Sequence, residues 1–210
     1  PILPPVRRYE VGETFSFGLT LFGESLALFP YAVLAVQRMG ELGMGNKAVP
    51  PGRFRLKQAC TLNPLAGVEK RIYSSDSRLV NVPDVPITHD DVIACSQRLA
   101  GDRVRLDLIT PLRLILDGAL VHRLSFKILT QRLLRRLTDL YYHCCREKLD
   151  LDFPKLLDEA GAVGVIEDNT RWLDLSSYSR RREASSPIGG LVGEIAFEGN
   201  LEPFLPFLVW

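Results

Sequence analysis

The stretch Ser125–Arg146 constrains this chain more than any other. Phe126, Leu129, Leu133, Leu137, Leu140, Tyr141 and Cys144 recur at helical spacing and trace one apolar stripe. Ser125 is positioned to cap the first turn, because its hydroxyl can accept from an otherwise orphaned backbone N–H. A helix polar on one side and apolar on the other needs a surface to lie on. The preceding segment, Arg103–Leu114, offers one. Val104, Leu106 and Leu108 alternate with Arg103, Arg105 and Asp107, the period of a half-buried strand. Pro111 interrupts that pattern and marks an edge or a bend.

The rest of the chain extends the arrangement in both directions. Thr14–Phe22 alternates and predicts a strand, and Ser25–Leu42 predicts a helix. Glycines 40, 43, 45 and 52 with Pro50 and Pro51 then close a loop. Arg53–Leu62 predicts a second strand, with Arg53, Arg55 and Lys57 on one face. Glu69–Val80 reads as extended, Asn81–Pro86 as a proline-punctuated connection, and Asp90–Arg98 as a short helix capped by Thr88. A helix at Pro154–Ala160, strands near Arg171–Ser179 and Gly190–Glu198, and a helical Leu201–Trp210 complete the order. Strand, helix, strand, repeated twice, predicts an α+β chain with a ferredoxin-like (RRM-like) antiparallel sheet and helices on one face. The expected organisation is one domain over residues 1–210, with residues 65–101 inserted between core strands. The open face of such a sheet is a common platform for RNA.

Composition narrows the classes. With 46% hydrophobic residues in 210, the chain can bury a core. The longest apolar stretch, Leu28–Val36, falls short of the roughly 20 residues that span a bilayer. The start carries no signal-peptide pattern and no Met, so it is expected to be that of an excised or processed fragment, and the location cytoplasmic. Cys60, Cys95, Cys144 and Cys145 lack zinc-knuckle spacing and are expected to be free thiols. Neither a metal nor a cofactor is expected. The net charge of +1 does not announce a nucleic-acid binder, yet the cations are unevenly placed.

Candidate chemistry follows that unevenness. Arg132, Arg135 and Arg136 sit on the long helix, and Arg180, Arg181 and Arg182 form an unbroken run beside Tyr178. Each cluster reads as a solvated face or as phosphate contact, because arginine forks match phosphate oxygens. Tyr178 adds a surface on which a base can stack. His89, beside Asp90 and Asp91, reads as a solvated helix start, since consecutive residues rarely converge on one ion; His143, near the end of the long helix, reads as a dipole-stabilised position. His122 lies between a strand and the long helix. It is either a surface turn residue or a proton-transfer group. Gly189-Gly190-Leu191-Val192-Gly193 lacks the Lys-Ser/Thr of a phosphate loop and reads as a turn with close backbone packing.

Taken together, Tyr178-Ser179-Arg180-Arg181, Ile188-Gly189-Gly190-Leu191-Val192-Gly193-Glu194-Ile195 and the apolar Leu201–Leu208 resemble the C-terminal signature of CRISPR repeat-processing endoribonucleases of the RAMP superfamily. Thr14–Gly23, Thr110–Leu114 and Leu124–Phe126 with Leu133–Leu140 fit the same pattern. The resemblance is continuous over roughly the last fifty residues. It implies a metal-independent endoribonuclease in which a 2′-hydroxyl attacks the adjacent phosphate, or a non-catalytic RNA-binding scaffold subunit of the same superfamily. It also implies CRISPR repeat RNA as partner, other CRISPR-associated proteins beside it, and RNA contacts at Tyr178, Arg180, Arg181, Arg182, Arg132 and Arg136. Position 181 is Arg where the family often has Gln. No histidine follows the first strand, no N-terminal companion domain is expected, and the family's glycine-rich loop is expected to lie beyond Trp210. His122 is the remaining histidine candidate for catalysis.

Overall fold

The computed structural model describes residues 9–44, 52–77, 80–179 and 184–210. In chain order the elements are α1 (Phe29–Leu42), β1 (Gln58–Asn63), β2 (Val68–Ser74), α2 (His89–Ser96), β3 (Arg103–Leu112), β4 (Ile115–Leu116), β5 (Ala119–Leu120), α3 (Phe126–Cys145), α4 (Phe153–Gly161), β6 (Gly164–Asp168), β7 (Arg171–Leu173), β8 (Ser176–Ser179), β9 (Ala184–Pro187), β10 (Gly190–Glu198) and α5 (Leu205–Val209). The fold is α+β with antiparallel sheets. Two compact units divide it, residues 17–95 and residues 1–16 with 96–210.

The larger unit is organised around β10. It pairs with β3 on one edge and with β6 and then β7 on the other, always antiparallel. Ile195 and Phe197 stand opposite Leu106 and Val104 and are fully buried. Helix α3 lies over them. Phe126 meets Phe197 and Phe204 edge-on, each pair with ring centroids 5.2 Å apart, a geometry the ring quadrupoles favour. Ala160, Leu156, Leu201 and Leu205 close the same core. Ser125 caps α3 as the sequence predicts, its hydroxyl accepting from Ile128 N–H at 3.3 Å. Asp152 does the same for α4 by accepting from Lys155 N–H at 3.1 Å.

Pro111 proves to sit in a bulge. The β3–β10 register shifts between Leu191 and Gly193, so a residue without N–H interrupts no regular ladder there. Two glycines of β10 are required by close approach. A Cβ on Gly190 would lie 2.6 Å from the Leu112 carbonyl oxygen. Gly193 has φ +110°, and a Cβ there would lie 2.6 Å from the Asn169 carbonyl oxygen, at the corner where β6 gives way to β7.

In the smaller unit β1 and β2 form a two-stranded sheet. Thr14–Phe22 is not a strand: it carries no regular structure, and Phe17 and Leu19 are exposed. Alternation describes the faces a strand would have, but a ladder with a neighbour is what makes one. A 3-10 turn, Gly23–Leu28, starts the expected helix. The strand expected from Arg53 begins only at Gln58. Strand β6 and the β4–β5 hairpin are additions to the sequence reading.

Asn63, 3% exposed, ties this unit together. Its Oδ1 accepts from the N–H groups of Leu65 (3.1 Å) and Ala66 (3.0 Å). Its Nδ2 donates to Pro86 O at 2.9 Å and to Asp91 Oδ2 at 3.0 Å. Asp91 and Thr88 form a reciprocal cap at the start of α2. The Thr88 backbone N–H, then its hydroxyl, then Asn63 hold the Asp91 carboxyl below the usual carboxylate range, against a smaller opposing effect of burial. A lowered carboxyl contributes stability that is complete above its unfolded value and lost as the pH falls through its folded one. Asp91→Asn should therefore lower the urea midpoint at neutral pH. The gap to the parent chain should close below about pH 4. A gap that widens in acid would contradict this account.

Candidate nucleic-acid interface

The β7–β10 pairing continues beyond the sheet as a ribbon. Val192, Leu191 and Gly190 stand opposite Arg171, Trp172 and Leu173. Ile188 N–H then donates to Leu175 O at 2.8 Å. Ser176–Ser179 next pair with Ala184–Pro187. Residues 171–179 therefore run antiparallel to 184–192, and Arg180-Arg181-Arg182-Glu183 link the two in sequence. Tyr178 lies in β8 opposite Ser185. Its side chain, with Arg180, Arg181 and Arg182, lies outside the described residues.

The ribbon's root is built from groups that sequence reasoning largely missed. Arg113 donates from Nη1 to the Gly189 carbonyl at 3.1 Å. His122 is exposed and packs on Trp172, with ring centroids 4.3 Å apart and planes tilted by 43°. Trp172 donates from Nε1 to Asp174 Oδ1 at 2.9 Å. The one signal in the sequence for this cluster is the short Trp-Leu-Asp spacing. His122 lies at the ribbon's root, and Ser179, the last described residue before the three arginines, is seven positions along the ribbon from Trp172.

The open face of the β3–β10–β6 sheet is not the basic platform that the predicted fold would suggest. Arg103, Arg105 and Asp107 of β3 share it with Glu194 and Glu198 of β10 and Glu167 of β6. Arg105 reaches Glu167 Oε2 at 3.0 Å and Glu194 Oε2 at 3.3 Å. Arg103 stands opposite Glu198, and Asp107 opposite Glu194. Acids outnumber bases, so this face repels phosphate rather than gathering it.

The helix arginines divide. Arg132 is half-buried on the side of α3 that meets α4, whereas Arg136 is exposed outside that groove. Among the described residues, no group of three or more His, Cys, Asp or Glu side chains is arranged to hold a metal ion. Asp91, beside His89 and Asp90, is engaged in the cap of α2. No helix of the described residues is long and apolar enough to cross a membrane.

Residues 1–85 match the family model AF_1859_N, described as an N-terminal domain. No curated protein sequence matches the chain. Among solved structures, Cas6 from Thermus thermophilus aligns with a TM-score of 0.42 at 10% identity, over 57% of this chain. The chain spans about half, 47%, of that structure's length.

Arg105 provides a direct check on the sheet face. Its charge is already engaged by two carboxylates, and exposed pairs of this kind contribute about 1 kcal/mol or less. Arg105→Ala should leave RNA affinity, measured by fluorescence anisotropy, within about twofold of the parent chain's. A tenfold loss would mean that RNA lies on the sheet after all.

Proposed function

We propose that this chain is the RNA-binding part of a metal-independent endoribonuclease that cuts CRISPR repeat RNA, built on the ferredoxin-like plan of the RAMP superfamily. The observation that carries the reading is the paired ribbon 171–179/184–192, whose strands are joined by Arg180, Arg181 and Arg182 and whose root requires glycine at 190 and 193. The Tyr178–Ile195 signature thereby acquires a physical division of labour. Its glycines let strands approach, and its arginines lie in sequence between two paired strands. Guanidinium forks meet phosphate oxygens there, and Tyr178 stacks on a base.

In this reading the 2′-hydroxyl loses its proton to a base and its oxygen bonds to the adjacent phosphorus. The P–O5′ bond breaks, the leaving oxygen takes up a proton, and a 2′,3′-cyclic phosphate remains. The protein contributes positioning and cationic stabilisation of the charge that develops on phosphorus-bound oxygens. His122, held against Trp172, is the candidate for the proton transfer. A second reading, a non-catalytic RAMP-type scaffold that holds guide RNA among other CRISPR-associated proteins, is favoured by one observation. The ring partner of His122 is an indole, and the histidine stands well back along the ribbon from Ser179.

Incubating the chain, alone and within its full-length parent, with labelled repeat RNA in EDTA separates the two. Cleavage to a cyclic-phosphate end supports the enzyme, and its loss in His122→Ala with binding retained assigns the proton transfer. Retention without cleavage supports the scaffold. No binding at low salt, where phosphate contacts are strongest, contradicts both. Substituting Arg180 and Arg181 together by alanine should weaken binding. It should also flatten the log–log salt dependence by about 1.4, roughly 0.7 for each phosphate no longer neutralised. An unchanged slope would remove these arginines from the interface.

A further inference from the structure

The groove between α3 and α4 holds a group that the proposed interface does not use. Its volume is about 290 Å³, and Gln131, Arg132, Arg135, Asp139, Phe153 and Leu157 line it. A second hollow of about 350 Å³ continues it past Asp139 and Phe153 to Tyr142 and Lys148. The Nε of Arg132 is buried and has no hydrogen-bond partner among the described residues. A guanidinium is never deprotonated in a protein, so this N–H is a permanent cationic donor facing no acceptor. Native folds rarely leave such a group without a purpose, because removing it from water costs more than a surface arginine would. Asp139, in the same groove, makes no ion pair with it at 4.0 Å or less among the described residues.

We infer that the α3–α4 groove is a subsite for a single-stranded RNA phosphodiester, anchored by the guanidinium ends of Arg132 and Arg135. This rests on the RNA-binding reading above and adds a second contact region, on the helices, to the ribbon. Three features specify the occupant. Arg132 and Arg135, three residues apart, lie on neighbouring positions of one helix face and supply forked donors suited to phosphate oxygens. Phe153 and Tyr142 offer ring surfaces to unstacked bases, the mode by which single strands are held without sequence preference. Asp139 is an acceptor for a ribose 2′-hydroxyl, the group that distinguishes RNA from DNA. An acidic peptide would meet the same arginines and the same Asp139, but it has no bases to stack on Phe153 and Tyr142.

The test uses the whole chain and single-stranded oligouridylate. Arg132→Met removes the unpaired donor and keeps most of the side chain's volume. It should leave the melting temperature of the free protein unchanged or raised, weaken oligouridylate binding about tenfold and flatten the salt slope by about 0.7. Arg132→Lys, which keeps the charge but lacks Nε, should retain most of the slope and still lose affinity. A lowered melting temperature with unchanged RNA affinity would make Arg132 structural and overturn the inference. Unchanged binding by Arg132→Met, alongside weakened binding in the Arg180 and Arg181 double variant, overturns the subsite while leaving the ribbon reading intact. Failure of the parent chain to bind oligouridylate or repeat RNA overturns both. Arg132-dependent capture of polyglutamate, with RNA affinity unchanged in Arg132→Met, overturns it in favour of an acidic protein partner.

Discussion

Strand β10 is the constraint on which the larger unit depends. One face of this nine-residue strand supplies Ile195 and Phe197 to the core, and its edges pair with β3, β6 and β7. Those pairings are possible because Gly190 and Gly193 place no Cβ against the carbonyls of Leu112 and Asn169. A side chain at either position would have to push backbone aside, and at Gly193 it would also meet a left-handed φ. The ribbon that leads to Arg180–Arg182 grows from the same strand. The glycine motif, which reads from sequence as a turn with close backbone packing, is a means of bringing strands together. The charge that could meet phosphate lies elsewhere.

Where that charge lies follows from pairing rather than from number. Arg105 is central to the sheet face, yet Glu167 and Glu194 already engage it. Arg132 is half-buried on a helix, and its Nε is without a partner among the described residues. Counting arginines treats the two alike, while the surroundings give them opposite roles. Neutralised cations contribute little to an electrostatic field, and a cation outside any ion pair contributes more. This moves the expected RNA path from the sheet to the ribbon and the α3–α4 groove.

The sequence makes some elements legible because their local signals agree with their tertiary surroundings. Helix α3 is read from its stripe and from Ser125, and both act within the helix itself. Strand β10 is read with its observed limits, Gly190–Glu198. Strand β6 is illegible, because Val165 and Ile166 are adjacent and both exposed, so no alternation marks it and only its pairing with β10 makes it a strand. Thr14–Phe22 fails for the converse reason, alternation without strand structure. At the site, the arginine clusters are visible as composition. The partners that separate Arg105 from Arg132 are contributed by residues far away in sequence, so no local spacing could have distinguished them. His122 is visible as a histidine near a helix start, but its stacking on Trp172 depends on the β7–β10 pairing.

The central claim is that RNA avoids the charged sheet face and follows the ribbon and the α3–α4 groove. Zero-length photocrosslinking of thiouridine-substituted repeat RNA to the chain, with the adducts mapped by mass spectrometry, tests it most directly. Adducts should fall on residues 176–187 and on α3 and α4, with none on Arg103, Arg105 or Asp107. Adducts concentrated on those β3 residues, with the ribbon and groove unlabelled, would contradict the account.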